Sequence, residues 1–232
     1  MVAGTRCFAR AASKSEESLS QFLLSVACIL VAYLLGTIPS GYIVARVRGV
    51  NIQQVGSGNI GATNVLRSVG VVPAILVAIA DPLKGAAAAL LPKLLGLPPL
   101  TIAISGFIAV VGNDYNAFLR FRGGKGIAAS LGVLLAINPL VAGLSAAIGI
   151  YTMVLGRMVS LGSLVGIAVA PLFMIMNGAR LEYTLMTVAL AGLATWRHRD
   201  NLSRLAKGTE NRLGRKRSGE FKEATEVRPP SD

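Results

Sequence analysis

The sequence predicts an all-α polytopic integral membrane protein, crossing the bilayer about seven times, with some helices short or broken and the N-terminus outside. Three observations predict it. The chain is 53% hydrophobic and only 15% charged, whereas a soluble domain carries about a quarter charged residues. Apolar runs approaching the roughly 20 residues needed to cross hydrocarbon recur along it. Basic residues gather at the ends of those runs, where cytoplasmic anchors belong.

Residues 19–45 form the first run, closed by Arg46 and Arg48, with Pro39 predicting a kink. Residues 71–91 hold Asp81 and Lys84 within an otherwise apolar stretch. Residues 100–111 run into Asn113-Asp114. Residues 126–137 and 140–155 flank Asn138-Pro139, a helix-stop pair, and so read as a hairpin. Residues 161–176 and 181–196 complete the seven. The shorter runs predict broken or tilted helices lining a cavity, because irregular backbone at depth is tolerated only against protein or water. A mobile N-terminal tail is expected over residues 1–18, one membrane-embedded domain over 19–210, and a basic disordered tail over 211–232.

Sidedness follows from the basic residues. Arg46, Arg48 and Arg67 mark one loop, Arg120, Arg122 and Lys125 a second, Arg157 a third, and Arg197, Arg199 and Arg204 the last. Lys93 and Arg180 are sparse charges in the opposite loops. An outside N-terminus threaded through seven crossings puts all of the basic loops on the cytoplasmic face. Arg6, Arg10 and Lys14 oppose this orientation, partly offset by Glu16 and Glu17. The net charge of +12 comes without an aromatic-basic platform, so nucleic acid is not expected as a partner. Cys7 and Cys28 offer no disulfide framework and no metal-ligand spacing, so neither metal nor cofactor is expected.

Three polar inserts interrupt the apolar pattern. The first runs from Gly56 to Arg67, and Gly56-Ser57-Gly58-Asn59-Ile60-Gly61 formally matches a dinucleotide fingerprint. That site requires a strand, turn and helix of a parallel sheet, and Asp81, at the spacing of its acidic partner, lies within an apolar span. What survives is physical. Gly58 and Gly61 let backbone N–H groups approach an anion, and a helix starting near Ala62 directs its positive end there. Ser57, Asn59, Thr63 and Asn64 add neutral hydrogen-bonding groups, and Arg67 a planar fork for phosphate. The alternative is a polar interhelical loop with capping residues. The second insert, Arg122-Gly123-Gly124-Lys125-Gly126, is no Walker loop, because Gly126 stands where Ser or Thr would follow the Lys. It reads as an anion nest with Lys125 as a point charge, or else as a flexible positive-inside turn. The third runs from His198 to Glu210, with His198, Asn201 and Leu205 on one helical face and Glu210 within reach of Arg204.

Two further features sit beside these inserts. Asp81 and Lys84 meet across one helical turn, either as an internal ion pair or as part of a wet site. Ser160 and Ser163 present hydroxyls toward the same cavity, although serines in membrane helices commonly bond their own backbone. The stretch Gly162-Ser163-Leu164-Val165-Gly166 reads equally as a helix-packing motif.

With these motifs in hand, the chain resembles the acyl-phosphate-dependent glycerol-3-phosphate acyltransferase family of bacterial inner membranes, over roughly residues 20 to 213. Ser57 to Arg67 is similar to its first motif, Phe121 to Ala128 to its second, and His198-Arg199-Asp200-Asn201-Leu202 with Arg204, Leu205 and Gly208-Thr209-Glu210 to its third. The resemblance implies seven transmembrane helices in the inner membrane and a site facing the cytoplasm. It implies transfer of a fatty acyl group from acyl phosphate to the 1-hydroxyl of sn-glycerol 3-phosphate, giving 1-acyl-glycerol 3-phosphate and inorganic phosphate, the entry into phospholipid synthesis. By position it places Ser57, Arg67, Lys125, His198 and Asn201 in activity, Gly123, Gly124, Gly126 and Lys125 in phosphate binding, and Glu210 in structure. The second motif often opens with Gly-His in the family, whereas here Gly112 is followed by Asn113, which cannot titrate.

Acyl phosphate is already an activated mixed anhydride, so no covalent acyl-enzyme is needed, and no nucleophile-His-carboxylate set stands out. Direct attack of the glycerol hydroxyl on the acyl carbon is expected. Arg67, Lys125, Arg204 and loop N–H groups would hold two phosphates against their mutual repulsion. The proton goes either to His198 or to a substrate phosphate. The substrates and membrane lipid are the expected partners, with no obligate protein partner. Two other classes compete: a transporter of a phosphorylated metabolite, and a scaffold whose basic tail holds anionic lipid.

Overall fold

The computed structural model describes residues 2–214, with side-chain surroundings from Glu16 onward. Its elements, in order, are α1 (Val2–Gly36), α2 (Ser40–Val47), α3 (Ala62–Ser68), α4 (Val71–Leu94), α5 (Pro99–Asp114), α6 (Ile127–Ile137), α7 (Pro139–Gly156), α8 (Val159–Met176), α9 (Leu181–Arg197) and α10 (Arg199–Ala206), with a 3-10 turn at Ala117–Leu119. There is no strand among the described residues. Every apolar run expected to be helical is helical here, the first as two helices. By length and composition, Glu16–Val47, Val71–Leu94, Pro99–Leu119, Pro139–Gly156 and Val159–Met176 suit a membrane crossing. A shorter apolar helix is α6, with 11 residues, and α9 has 17. α1 continues unbroken through residue 18, so the expected tail boundary there is not a break in the helix. The basic tail expected over 211–232 lies outside the described residues from position 215 on, as do the side chains of Arg6, Arg10 and Lys14.

The outer surface carries large apolar side chains, among them Leu23, Leu34, Val72, Ile79, Leu155 and Leu172. Lipid solvates such a surface, and helices there gain little by hiding apolar groups from one another. Close packing through small residues must hold them instead, and it does. A Cβ added at Gly85 of α4 would lie 2.1 Å from the Ala129 carbonyl oxygen of α6, and one at Gly132 would lie 1.9 Å from that of Pro82. α7 and α8 meet through Gly149, Gly162 and Gly166 in the same way. For the stretch Gly162 to Gly166, the structure thus supports the helix-packing reading. Asn138 acts as expected between α6 and α7: its side-chain carbonyl accepts from the Val141 N–H at 3.1 Å, with Pro139 in the first turn.

Pro39 does more than kink the first run. The chain leaves helix geometry between Gly36 and Ser40, which frees carbonyls inside an apolar surround. Two of them receive donors from other elements. The Asn116 amide donates to the Thr37 carbonyl at 2.7 Å, and the Lys84 ammonium to that of Ile38 at 2.9 Å. Lys84 also pairs with Asp81 at 2.9 Å, and the Ser40 hydroxyl donates to Asp81. All four of these side chains are buried. The Asp81–Lys84 pair is thus both an ion pair across one turn and the clasp of the break between α1 and α2.

Candidate active site

The first insert is fixed by what it buries. Ile52, Ile60 and Val65 plug into a cluster with Ala45, Val77 and Leu119, anchoring the loop onto α2 and α4. α3 begins at Ala62, as expected, after Gly61. Asn64 is the hub of the loop. Its side-chain amide donates to the carbonyls of Ile52 (3.3 Å), Val55 (3.1 Å) and Asn59 (2.9 Å), and its carbonyl accepts from the Ser57 N–H at 2.9 Å. The Asn59 side chain accepts from the Gly61 N–H at 2.7 Å, and the Gly58 N–H bonds the Val55 carbonyl.

Two expectations change here. Asn64 is buried with both polar atoms engaged, so it shapes the loop and does not present a group to phosphate. The N–H groups of Ser57, Gly58 and Gly61 are likewise spent inside the loop. Ser57 and Arg67 stay exposed, and neither side chain is hydrogen-bonded among the described residues. Thr63 is half-buried.

The second insert is gripped from two sides. The Gly123 N–H bonds the Asp114 carbonyl at 3.2 Å and the Gly124 N–H that of Asn113 at 2.9 Å. This corrects the expected nest, because those two N–H groups are not free for an anion. A Cβ at Gly123 would lie 2.1 Å from the Asn113 carbonyl oxygen, so only glycine fits. From the other side, Arg197 donates to the Gly124 carbonyl from Nε (3.2 Å) and Nη2 (2.8 Å), with its guanidinium 5.0 Å from the centre of the Tyr115 ring. Gly126, at φ +73°, then turns the chain into α6. Gln53 donates to the Arg122 carbonyl at 3.0 Å, which ties the loop leading into the first insert to the second. A cavity of about 270 Å³ lies at this junction, lined by Tyr42, Gln53, Phe118, Leu119, Arg120 and Arg122.

The second and third inserts meet through side chains. The Lys125 ammonium donates to the Asn201 side-chain carbonyl. The Asn201 amide donates to Glu210 at 2.8 Å, on the oxygen that also accepts from the Ser160 hydroxyl at 2.9 Å. The other Glu210 oxygen accepts from Arg204 at 2.8 Å, as the spacing predicts. Lys125, Asn201, Ser160, Glu210 and Arg204 thus form one network drawn from three segments. Ser163 is half-buried one turn from Ser160.

Burial, with the nearby Arg204 charge, holds the Lys125 ammonium below its ordinary pKa. Burial works against the charged form of Glu210, but hydrogen bonds from Asn201, Ser160 and Arg204 outweigh it and hold the carboxyl below its usual value. His198 is buried and its Nδ1 lies 2.7 Å from the Ala194 carbonyl, so Nδ1 carries the proton. Burial pushes the imidazole down to about 4, against the backbone hydrogen bond that favours protonation. It is neutral at pH 7.

Arg197, Asn113, Asp114 and Tyr115 were not singled out from the sequence as site residues. Arg197 counted there only as a topology charge, and its place directly before His198 was the available signal.

Comparisons with known proteins address the chain as a whole. The profile of the family "Glycerol-3-phosphate acyltransferase" matches residues 26–208. A glycerol-3-phosphate acyltransferase of Thermus thermophilus is 46% identical over 186 residues, covering 80% of this chain and 94% of that one. "Glycerol-3-phosphate acyltransferase 1" of Deinococcus radiodurans is 44% identical over 194 residues, covering 84% and 98%. The crystal structure of PlsY (YgiH), an integral membrane glycerol 3-phosphate acyltransferase, in its glycerol 3-phosphate form superposes with a TM-score of 0.79 at 38% identity, over 82% of this chain and 96% of that one. A lysophosphatidic acid form of the same enzyme superposes at 0.78 with 37% identity, over 82% and 95%. Helical architecture, apolar surface and the joined inserts thus coincide with sequence kinship along most of the chain: it belongs to the glycerol-3-phosphate acyltransferase family and is a membrane-embedded acyltransferase.

Proposed function

We propose that the chain transfers a fatty acyl group from acyl phosphate to the 1-hydroxyl of sn-glycerol 3-phosphate. The hydroxyl oxygen bonds to the acyl carbon, the bond from that carbon to the phosphate oxygen breaks, and 1-acyl-glycerol 3-phosphate and inorganic phosphate leave. The observation that carries this reading is the Lys125–Asn201–Glu210–Ser160 network, which sets a cation from one loop against groups from two other segments. Lys125 and Arg67 serve as phosphate-holding cations, acting by position and electrostatics. Ser57, Thr63 and Ser163 supply hydroxyls at its edge, and Gly126 turns the helix start of α6 toward it.

His198, held neutral at about 4, is a weak proton acceptor, whereas a phosphate monoester titrates near about 6. The hydroxyl proton therefore passes to a substrate phosphate, and His198 shapes the site. The alkyl chain of the donor stays in lipid, and the loops face the cytoplasm, with seven crossings and the N-terminus outside.

Purified chain in detergent, given palmitoyl phosphate and glycerol 3-phosphate, is expected to release phosphate and form the acylated product. Palmitoyl-CoA or acylated carrier protein in place of the phosphate donor is expected to give none. Turnover with either thioester and not with acyl phosphate would reject the donor assignment. Single cysteines at Arg67, Lys125 and His198, labelled from one side of sealed vesicles, check the shared cytoplasmic face. Labelling from opposite sides would end the single-site reading.

A further inference from the structure

Arg197 is half-buried and turned into the protein, unlike a charge that merely marks the cytoplasmic side. Among the described residues no carboxylate pairs with it. Its guanidinium is spent instead on one backbone oxygen, the Gly124 carbonyl, reached from both Nε and Nη2, and on the face of Tyr115. In a trans peptide the C=O and the following N–H point in opposite directions, and the described chain has no cis bond. With the Gly124 carbonyl drawn to Arg197, the Lys125 N–H points away from it and is bonded to nothing among the described residues. The same peptide carries the Lys125 side chain to Asn201.

We propose that Arg197 is a positioning residue for Lys125: by gripping the Gly124 carbonyl and stacking on Tyr115, it sets the 124–125 peptide so that the ammonium and N–H of Lys125 face a substrate phosphate together. This rests on the reading that Lys125 holds such a phosphate. Lysine cannot replace Arg197 fully, because a single ammonium offers neither the fork nor the flat face.

Titration calorimetry of glycerol 3-phosphate into the purified full chain reads its Kd, and steady-state turnover reads KM for each substrate. Arg197→Ala is expected to raise the Kd, or the KM of one substrate, roughly tenfold or more, and Arg197→Lys to raise the same constant less. Tyr115→Phe keeps the ring and is expected to match wild type, while Tyr115→Leu follows Arg197→Lys. A purely structural Arg197 would lower the number of binding sites and kcat, leaving the Kd and both KM values in place. A Kd and KM values all within about threefold of wild type in the Arg197 variants would overturn the proposal. If Arg197→Ala does not fold, Arg197→Lys and Tyr115→Leu decide by the same threshold. A wild-type chain that binds glycerol 3-phosphate yet fails to use acyl phosphate would count against the donor and not against Arg197, because the calorimetric reading needs no donor.

Discussion

The Lys125 ammonium donates to the side-chain carbonyl of Asn201, 76 positions further along the chain. Asn201 suits this place because one amide offers an acceptor to a cation on one side and a donor to Glu210 on the other, at 2.8 Å. No other common side chain of that length does both at neutral pH.

Asn201→Asp should therefore be as damaging as Asn201→Ala. The carboxylate keeps a partner for Lys125 but cannot donate to Glu210, and it sets two negative charges together. Phosphate release is expected to fall by about a hundredfold or more in both variants. An Asp variant retaining a tenth or more of wild-type turnover would show that the bond to Glu210 does not matter.

His198 should leave its mark on stability against pH. Its folded value of about 4 lies below the ordinary 6.5, so the unfolded chain binds a proton first as the pH falls. The stability held by the neutral imidazole is full above about 6.5 and is lost progressively down to about 4, on the order of 3 kcal/mol in all. His198→Gln should flatten that part of the unfolding-midpoint curve measured in detergent between pH 8 and pH 4. It should also leave the pH dependence of turnover unchanged in shape. A turnover inflection that vanishes in the variant would make His198 the proton acceptor after all.

Asn64→Asp tests the first insert. Aspartate cannot donate, so the carbonyls of Ile52 and Asn59 lose the amide, and that of Val55 keeps only the Gly58 N–H. At about 1 kcal/mol per bond, a loss of roughly 2–4 kcal/mol is expected, with Asn64→Ala similar. Chemical unfolding in detergent measures it. A change under about 0.5 kcal/mol would mean that the loop is held by Ile52, Ile60 and Val65 alone.

Asp81 and Lys84 lend themselves to a double-mutant cycle. Removing either partner leaves a buried charge uncompensated, and Asp81→Asn or Lys84→Met alone should each cost about 3–5 kcal/mol. The double variant should recover part of that loss. Strict additivity of the two single changes would show that the pair is not coupled.

Much of this architecture was legible in the sequence because membrane helices announce themselves by length and apolarity. The seven runs, the stop at Asn138-Pro139, the start of α3 at Ala62, the Asp81–Lys84 pair and the Arg204–Glu210 pair all follow from spacing along single helices or across short loops. Contacts between distant segments did not follow from it. That Asn113 and Asp114 would consume the N–H groups of Gly123 and Gly124, and that Arg197 would reach across to Gly124, depend on how α5, α6 and α9 come together, whereas the inward turn of Asn64 depends on how its own loop closes on Ile52, Val55 and Asn59. Glycine signalled the need for close approach at positions 123 and 124, but not whether a ligand or the protein's own backbone would make it.

The interrupted first helix also bears on how the protein is made. The Thr37 carbonyl has its donor in Asn116, and the Ile38 carbonyl, bonded locally by the Ser40 N–H, gains a second donor in Lys84; the ribosome adds both side chains only later. Until those arrive, the Thr37 carbonyl of the nascent N-terminal segment is an unquenched dipole in the oily phase, so its final bent shape waits for downstream segments to insert beside it. Biogenesis thus runs backward at this point: a later-synthesised side chain finishes the earliest-synthesised turn.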